Sequence, residues 1–278
     1  MSGHIEGKVV VVTGAGGGFG RLTAELLVGM GAEVVGGDID GEALKAVEAE
    51  TAADTGSFIG VPTDVTRRAD VERLVRTAVE AHGSVDVMIN NAGTMPLAFF
   101  SDHAEAHAAW DRCVDINFKG VLNGITAVYD QMMAQGHGHV VNISSIYGNF
   151  PVLGAGVYGA TKAAVNVLSE SLRVEAQGKI KVTVVKPTGV VATGIGSTMI
   201  NPQAITGIGG QNTPKFFENY QKYASGSLPA EMTDPGSTAY WTIDPRELAE
   251  NVVYAIDQPL GVSISEITVR ATGENYIL

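Results

Sequence analysis

The chain has 278 residues, 45% of them hydrophobic and 17% charged, which excludes a disordered chain and supplies material for a sizeable core. With 18 basic against 30 acidic side chains the net charge is −12, which excludes a nucleic-acid or anionic-membrane surface built on bulk positive charge. Glycine, at 35 residues, is well above the usual ~7% yet follows no Gly-X-Y period, so collagen is excluded too.

Residues 8–12 are a short β-branched run. Residues 18–30 have helical spacing, with Phe19, Leu22, Leu26 and Leu27 as the apolar positions. Strand-like 33–37, helical 42–53 and strand-like 58–61 follow. Residues 67–82 carry Val71, Leu74, Val75, Ala78 and Val79 as one apolar stripe. Residues 85–89 are a further apolar run. A long helical region spans 105–134, with a strand over 139–143. A helix over 157–177, a strand over 180–185, a helix over 245–257 and a strand over 266–270 complete the chain. This alternation predicts an α/β, doubly wound Rossmann fold: a seven-stranded, mostly parallel sheet with helices on both faces, in a single domain over 1–278. The valine- and isoleucine-rich strands fit burial on both faces. Between strand and last helix, residues 188–243 break the rhythm; a stretch of about 55 residues rich in Gly, Pro, Ser and Thr predicts a substrate-binding lid with short helices.

Cys113 is the only cysteine, which excludes an intrachain disulfide and fits a reducing compartment. The N-terminal residues hold no signal-peptide core, and no run approaches the ~18 apolar residues of a membrane span. A soluble, cytoplasmic protein without nucleic-acid or membrane partners is expected.

Thr13-Gly14-Ala15-Gly16-Gly17-Gly18-Phe19-Gly20 follows the first strand and opens the first helix. Gly14, Gly17, Gly18, Phe19 and Gly20 therefore read as the cradle of a dinucleotide pyrophosphate, held by backbone amides and the positive end of the helix dipole. That solution needs no bulk positive charge. A phosphate loop of the Walker type is excluded, because Arg21-Leu22 stands where Lys-Ser/Thr would be required. Asp38 ends the second strand, 18 residues past Gly20, where a carboxylate accepts from both ribose hydroxyls and repels an added phosphate. Ile39 and Gly17 offer no cation for that phosphate. Together they predict NAD rather than NADP.

Tyr158 and Lys162 are four apart on a predicted helix and share a face. A nearby ammonium favours the phenolate, so a tyrosine with a lowered pKa is expected. Ser145 ends a strand at the carboxyl edge of the sheet, where doubly wound folds bind ligands; Ser144 beside it is the alternative hydroxyl.

These residues resemble the short-chain dehydrogenase/reductase family in its compact branch, nearly end to end. Thr13–Gly20 looks like its Thr-Gly-x-x-x-Gly-x-Gly loop, Asp64-Val65 like its adenine-contacting pair, and Asn90-Asn91-Ala92-Gly93 matches its Asn-Asn-Ala-Gly motif. Asn117, Ser145, Tyr158 and Lys162 fall where its catalytic tetrad falls, and that spacing selects Ser145 over Ser144. The resemblance implies hydride exchange between a secondary alcohol and nicotinamide, with Tyr158 as acid/base. It implies that Lys162 also binds ribose, that Asn117 holds a relay water, and that Asn91, Ala92 and Gly93 contact the cofactor. After the sixth strand the family shows Pro-Gly-x-Val-x-Thr. Here Pro187-Thr188-Gly189-Val190-Val191-Ala192-Thr193 shifts the glycine by one and brings the threonine one residue late, leaving Val190 as the expected carboxamide contact and Pro187, Gly189 and Thr193 as further cofactor contacts.

Substrate is expected against Met95, Ser145, Tyr147, Tyr158 and Thr188, with Thr94, Asn149 and the loop residues Met199, Phe216, Phe217, Tyr220 and Trp241 nearby. That lining suggests a fairly large apolar, cyclic or aromatic alcohol. An NADPH-dependent ketoreductase of the 3-oxoacyl type and a non-enzymatic dinucleotide sensor are the alternatives. The resemblance also implies a homotetramer. No metal is expected: His103 and His107 are spaced as on a zinc helix, but no third ligand accompanies them.

Overall fold

The computed structural model describes residues 3–191 and 193–277. Met1, Ser2, Ala192 and Leu278, which the expected 1–278 domain includes, lie outside the described residues.

Seven strands form one sheet: β1 (Val9–Thr13), β2 (Glu33–Asp38), β3 (Ser57–Pro62), β4 (Val87–Asn90), β5 (Gly138–Ile143), β6 (Ile180–Pro187) and β7 (Glu266–Val269). Their order is β3-β2-β1-β4-β5-β6-β7, and every pairing is parallel. The sheet is thus wholly rather than mostly parallel. The helices are α1 (Gly18–Gly29), α2 (Gly41–Thr51), α3 (Arg68–His82), α4 (His103–Val114), α5 (Gly120–Gln135), α6 (Gly156–Glu175) and, after residues 188–243, α10 (Pro245–Ile256).

The period of two along β1 sorts its valines. Val10 and Val12 join a core with Leu27, Leu44 and Leu248 from α1, α2 and α10. Val9 and Val11 join the opposite core with Leu74, Val128 and Leu172 from α3, α5 and α6. Both faces are covered, so each central strand buries every side chain. Burying each such leucine contributes roughly 1.5–3 kcal/mol.

The expected 105–134 helix is interrupted. Asp115–Lys119 forms a π turn between α4 and α5, which inserts an extra residue into the hydrogen-bond ladder. Asn117 sits in that turn, fully buried.

Residues 188–243 carry α7 (Thr206–Gly209), α8 (Thr213–Ala224), α9 (Ala230–Thr233) and three short 3₁₀ turns. They build a third core around Leu97, Ile146, Ile208, Phe216 and Trp241. This segment is tied to the loop after β4. Met95 N–H donates to Thr198 Oγ1 at 2.8 Å, Asn201 N–H to Leu97 O at 2.9 Å, and Asn201 Nδ2 to Asp102 Oδ2 at 2.8 Å. Among the described residues no helix is long and apolar enough to cross a membrane.

Gly36 in β2 marks how tightly one face is packed. A Cβ there would lie 2.3 Å from the Phe58 ring and 2.8 Å from Ala15 Cβ. Gly36→Ala is expected to cost about 1–3 kcal/mol through overpacking, or roughly 2–4 °C of melting temperature per kcal/mol in a chain of this size. Thermal denaturation followed by circular dichroism checks it.

Candidate active site

The glycine loop is shaped by contacts from the end of β4. Gly14 and Gly18 have φ of 70° and 54°, a region that favours glycine. A Cβ on Gly20 would fall 2.2 Å from Asn91 Nδ2 and 2.3 Å from Gly14 O. Asn91 Nδ2 donates to Thr13 O at 2.8 Å and Gly14 O at 3.1 Å, and Thr13 Oγ1 accepts from the N–H groups of Asn91 and Ala92. Gly17 is the N-cap of α1 with no side-chain cap, and the first turn has no acidic residue. The amides there are free of competition from side chains. Arg21, next in sequence, is engaged by Glu25 and Glu50. Backbone dipoles, not a cation, make this end electropositive.

Asp38 closes the same edge. Its carboxylate accepts from Gly16 N–H and Asp40 N–H, both at 3.0 Å. The sequence reading missed Gly16, although a side chain there would press on the Asp38 carboxyl at 3.0 Å.

A cavity of about 660 Å³ runs from this loop to residues of the 188–243 segment. Gly14, Gly17, Gly18, Phe19, Gly20 and Asp38 line one end. Asn91, Ala92 and Gly93, with Pro187, Val190 and Thr193, line the middle. Met95, Ser145, Tyr147, Tyr158, Lys162 and Thr188 line the far part, with Met199, Phe216, Phe217 and Tyr220 above them. Seven expected contacts lie off its wall, among them Thr94, whose backbone N–H and carbonyl are bonded to Asn117. Ile39 is 75% exposed. Asp64 Oδ1 is taken by the Thr66 amide and hydroxyl, and Val65 packs against Gly120. Gly189 faces Tyr276, and its carbonyl accepts from Thr242 Oγ1 and Ile243 N–H. Asn149 is exposed. Trp241 belongs to the core of the 188–243 segment, 5.6 Å from the Phe216 ring and 6.1 Å from Tyr223. Tyr276, from the tail after β7, lines the cavity. No periodicity flags it, because it follows the last regular element.

Tyr158 and Lys162 project from one face of α6, both buried. Tyr158 and Ser145 line the same wall, close enough that the Ser145 hydroxyl favours the phenolate, and Ser145 Oγ also receives Tyr147 N–H at 3.2 Å. Ser144 Oγ is spent on Lys162 O at 3.1 Å, so Ser145 is the hydroxyl facing Tyr158. Lys162 Nζ donates to Ile143 O at 2.8 Å and stands 5.8 Å from the Tyr158 ring centre. Asn117 does not line the cavity. Its Oδ1 accepts from Thr94 N–H and its Nδ2 donates to Thr94 O, both at 2.9 Å. The π turn and this side chain together fix the loop that carries Gly93.

The expected lowering of the Tyr158 pKa is corrected. Burial pushes the phenol well above its ordinary value, and the nearby Ser145 hydroxyl offsets only part of it. Burial also pushes Lys162 down, to about 8. With its ammonium held on Ile143 O, the lysine does not overcome desolvation of the phenolate.

The sequence model described as "short chain dehydrogenase" matches residues 8–203. The chain belongs to the short-chain dehydrogenase family. An uncharacterised oxidoreductase of Listeria monocytogenes is 37% identical to it over 275 residues, 98% of this chain and 99% of the relative. A metagenomic short-chain oxidoreductase solved with NADP has TM-score 0.72 at 28% identity, over 97% of this chain and 99% of its own. A short-chain dehydrogenase/reductase of Burkholderia phymatum solved with NAD has TM-score 0.73 at 28% identity, over 95% and 89%. This dehydrogenase is an oxidoreductase whose structural neighbours bind NAD or NADP. Its loop fits such a group: a Cβ at Gly17 or Gly18 would meet nothing within 4 Å, which leaves an open cradle beneath bare amides.

Two glycines should separate fold from binding in this dehydrogenase. Gly17→Ala places a methyl in the open cradle and is expected to weaken nicotinamide dinucleotide binding about tenfold, ~1.4 kcal/mol, with no change in melting temperature. Gly20→Ala, blocked by Gly14 O and Asn91, is expected to lower both. Isothermal titration calorimetry and thermal melts check the pair.

Lys162 makes a signed prediction. The unfolded chain holds its proton to about 10.5 and the folded one only to about 8. Between those values the unfolded state binds more protons, so this group's contribution to stability rises with pH; its penalty is complete below about pH 8. Lys162→Met is expected to raise the melting temperature at neutral pH, with the gain shrinking toward about pH 10.5. Paired melts of both proteins across that window test it.

Proposed function

We propose that this short-chain dehydrogenase is an NAD-dependent enzyme that interconverts a secondary alcohol and a ketone. The observation that carries the reading is the Tyr158–Ser145 hydroxyl pair on the wall of one cavity, with Asp38 and the glycine loop at its other end. When bound, nicotinamide supplies or accepts the hydride. The chain supplies position and proton transfer.

Ser145 and Tyr158 hold the substrate oxygen between two hydroxyls. In the ketone-reducing direction Tyr158 donates its proton to that oxygen; burial keeps the phenol loaded for this step. In the alcohol-oxidising direction it must accept the proton as phenolate. Ser145 then donates to the phenolate oxygen, and Lys162, whose pKa of about 8 keeps it largely charged at neutral pH, supplies the opposing charge. Asn117 sets the loop over which Lys162 acts. Gly14, Gly17, Gly18, Phe19 and Gly20 would hold the pyrophosphate. Asp38, with no cation at Gly16, Gly17 or Ile39, favours ribose hydroxyls over a ribose phosphate.

The mostly apolar far wall of the cavity supports a fairly large apolar, cyclic or aromatic substrate. We read residues 188–243 as its lid, within a single domain. Exposed Val114, Leu122, Val167 and Val174 on α4, α5 and α6, and the open edge of β7, support a homotetramer. The lone cysteine supports a cytoplasmic location.

Formation of reduced nicotinamide, followed by absorbance with a panel of secondary alcohols, tests the reading. Turnover with NAD is expected at least ~tenfold above that with NADP. Tyr158→Phe should lose about 10²–10⁴-fold in kcat while still binding the dinucleotide. Turnover that survives Tyr158→Phe overturns the mechanism, and an NADP preference overturns the role of Asp38.

A further inference from the structure

The cavity carries a polar feature that the alcohol–ketone chemistry does not use. Among the described residues its only charged wall residues are Asp38, at the glycine-loop end, and Lys162, on the same helix face as Tyr158. Around the reacting hydroxyls the surface is apolar, with Met95, Ile205 and Phe217. Against that background Tyr147 is anomalous. It lines the cavity, yet its hydroxyl is buried without a hydrogen-bond partner among the described residues. Buried polar groups are nearly always paired, so an orphan on a cavity wall marks a place where a bound group completes it.

Two other phenols line the same cavity. The Tyr147 ring meets the Tyr158 ring edge to face at 5.5 Å, and Tyr276 packs against the apolar cluster that holds both. The tail around Tyr276 is anchored on both sides. Asn275 Oδ1 accepts from Trp241 Nε1 at 2.7 Å and from Asn219 Nδ2 at 3.1 Å. Ile277 N–H donates to Ile208 O at 3.0 Å. Between these anchors the Tyr276 side chain packs against Gly189, where a Cβ would lie 3.2 Å from its ring. The glycine shifted by one place after Pro187 is the residue that gives this tyrosine room.

We propose that Tyr147 and Tyr276 form a second hydrogen-bonding point beside the reacting hydroxyls, which selects an uncharged alcohol bearing a further oxygen, as hydroxyl or carbonyl, near its reacting carbon. The proposal rests on the alcohol–ketone reading and names its substrate class. The apolar frame of the substrate packs under the lid, and the second oxygen meets the two phenols. A carboxylate in that place finds no cation, and a plain hydrocarbon leaves Tyr147 unpaired; both are disfavoured.

Cyclohexanol and trans-cyclohexane-1,2-diol test it, each with NAD, in the wild type, Tyr147→Phe and Tyr276→Phe. Both substitutions keep the ring and remove only a hydroxyl, and melting temperatures verify that the variants fold. The expected result is a kcat/KM ratio of diol to cyclohexanol of at least ~tenfold in the wild type, falling to near unity in each variant. Binding of both probes to the NAD-saturated protein is measured in parallel by calorimetry. A wild-type ratio near unity, or a ratio that either substitution leaves intact, overturns the proposal. Binding that discriminates without turnover keeps the recognition point and overturns the alcohol–ketone reading; binding without discrimination, or none, overturns the point itself.

Discussion

The side-chain amide of Asn91 spans the place where the strand order reverses. From the end of β4 it reaches across to the carbonyls of Thr13 and Gly14 at the end of β1, while Thr13 returns the contact through its hydroxyl. Parallel strands that diverge here leave a crevice, and a crevice alone has no fixed width. The amide fixes it. It also explains Gly20, whose missing side chain is required first by Asn91 and Gly14 O and only then by any ligand. The glycine loop and the segment carrying Gly93 therefore move as one body, with Asn117 pinning the other end of that segment through Thr94.

Next to this rigid frame the chain places two groups that burial disfavours. Tyr158 resists losing its proton and Lys162 resists keeping its own. Each would be more comfortable in water. Perturbation of this kind, on two residues that share a cavity wall and one helix face, is the mark of a site kept for chemistry rather than stability. The Ser145 hydroxyl and the Ile143 carbonyl are the compensations the fold provides. A dinucleotide lying along the middle of the cavity would complete the enclosure.

Much of this was legible in the residues. The strands and helices announce themselves because their periods, two and 3.6, are set by burial on known faces, and β1 sorts Val9 and Val11 from Val10 and Val12 as a period of two demands. Tyr158 and Lys162 are legible as an i,i+4 pair, and Ser145 as a strand end. The π turn at Asp115–Lys119 is not, since one inserted residue hardly disturbs a pattern read over several turns. Nor is Tyr276, which lies beyond the last periodic element and is positioned by Asn275 and Ile277 through contacts far away in sequence. For Asp64 and Gly189 spacing gives the neighbourhood but not the direction of the side chain or carbonyl: Asp64 accepts from Thr66 and Gly189 faces Tyr276. The direction of the Tyr158 shift was missed because spacing reports the nearby ammonium and says nothing of desolvation.

Different parts of the chain close the two ends of the cavity. The glycine-loop end comes from β1, α1 and β2, but it is closed by Asn91 at the end of β4, whose amide donates to Thr13 O from 78 residues away. The substrate end requires β6 to find β7, with Thr188 Oγ1 meeting Val269 O from 81 residues away, and the tail to reach back over the lid. Residues 188–243 and the tail pack around a core of their own, apart from the two cores that clamp the sheet, so side chains on that wall can change shape and polarity while the sheet and its glycine loop keep theirs.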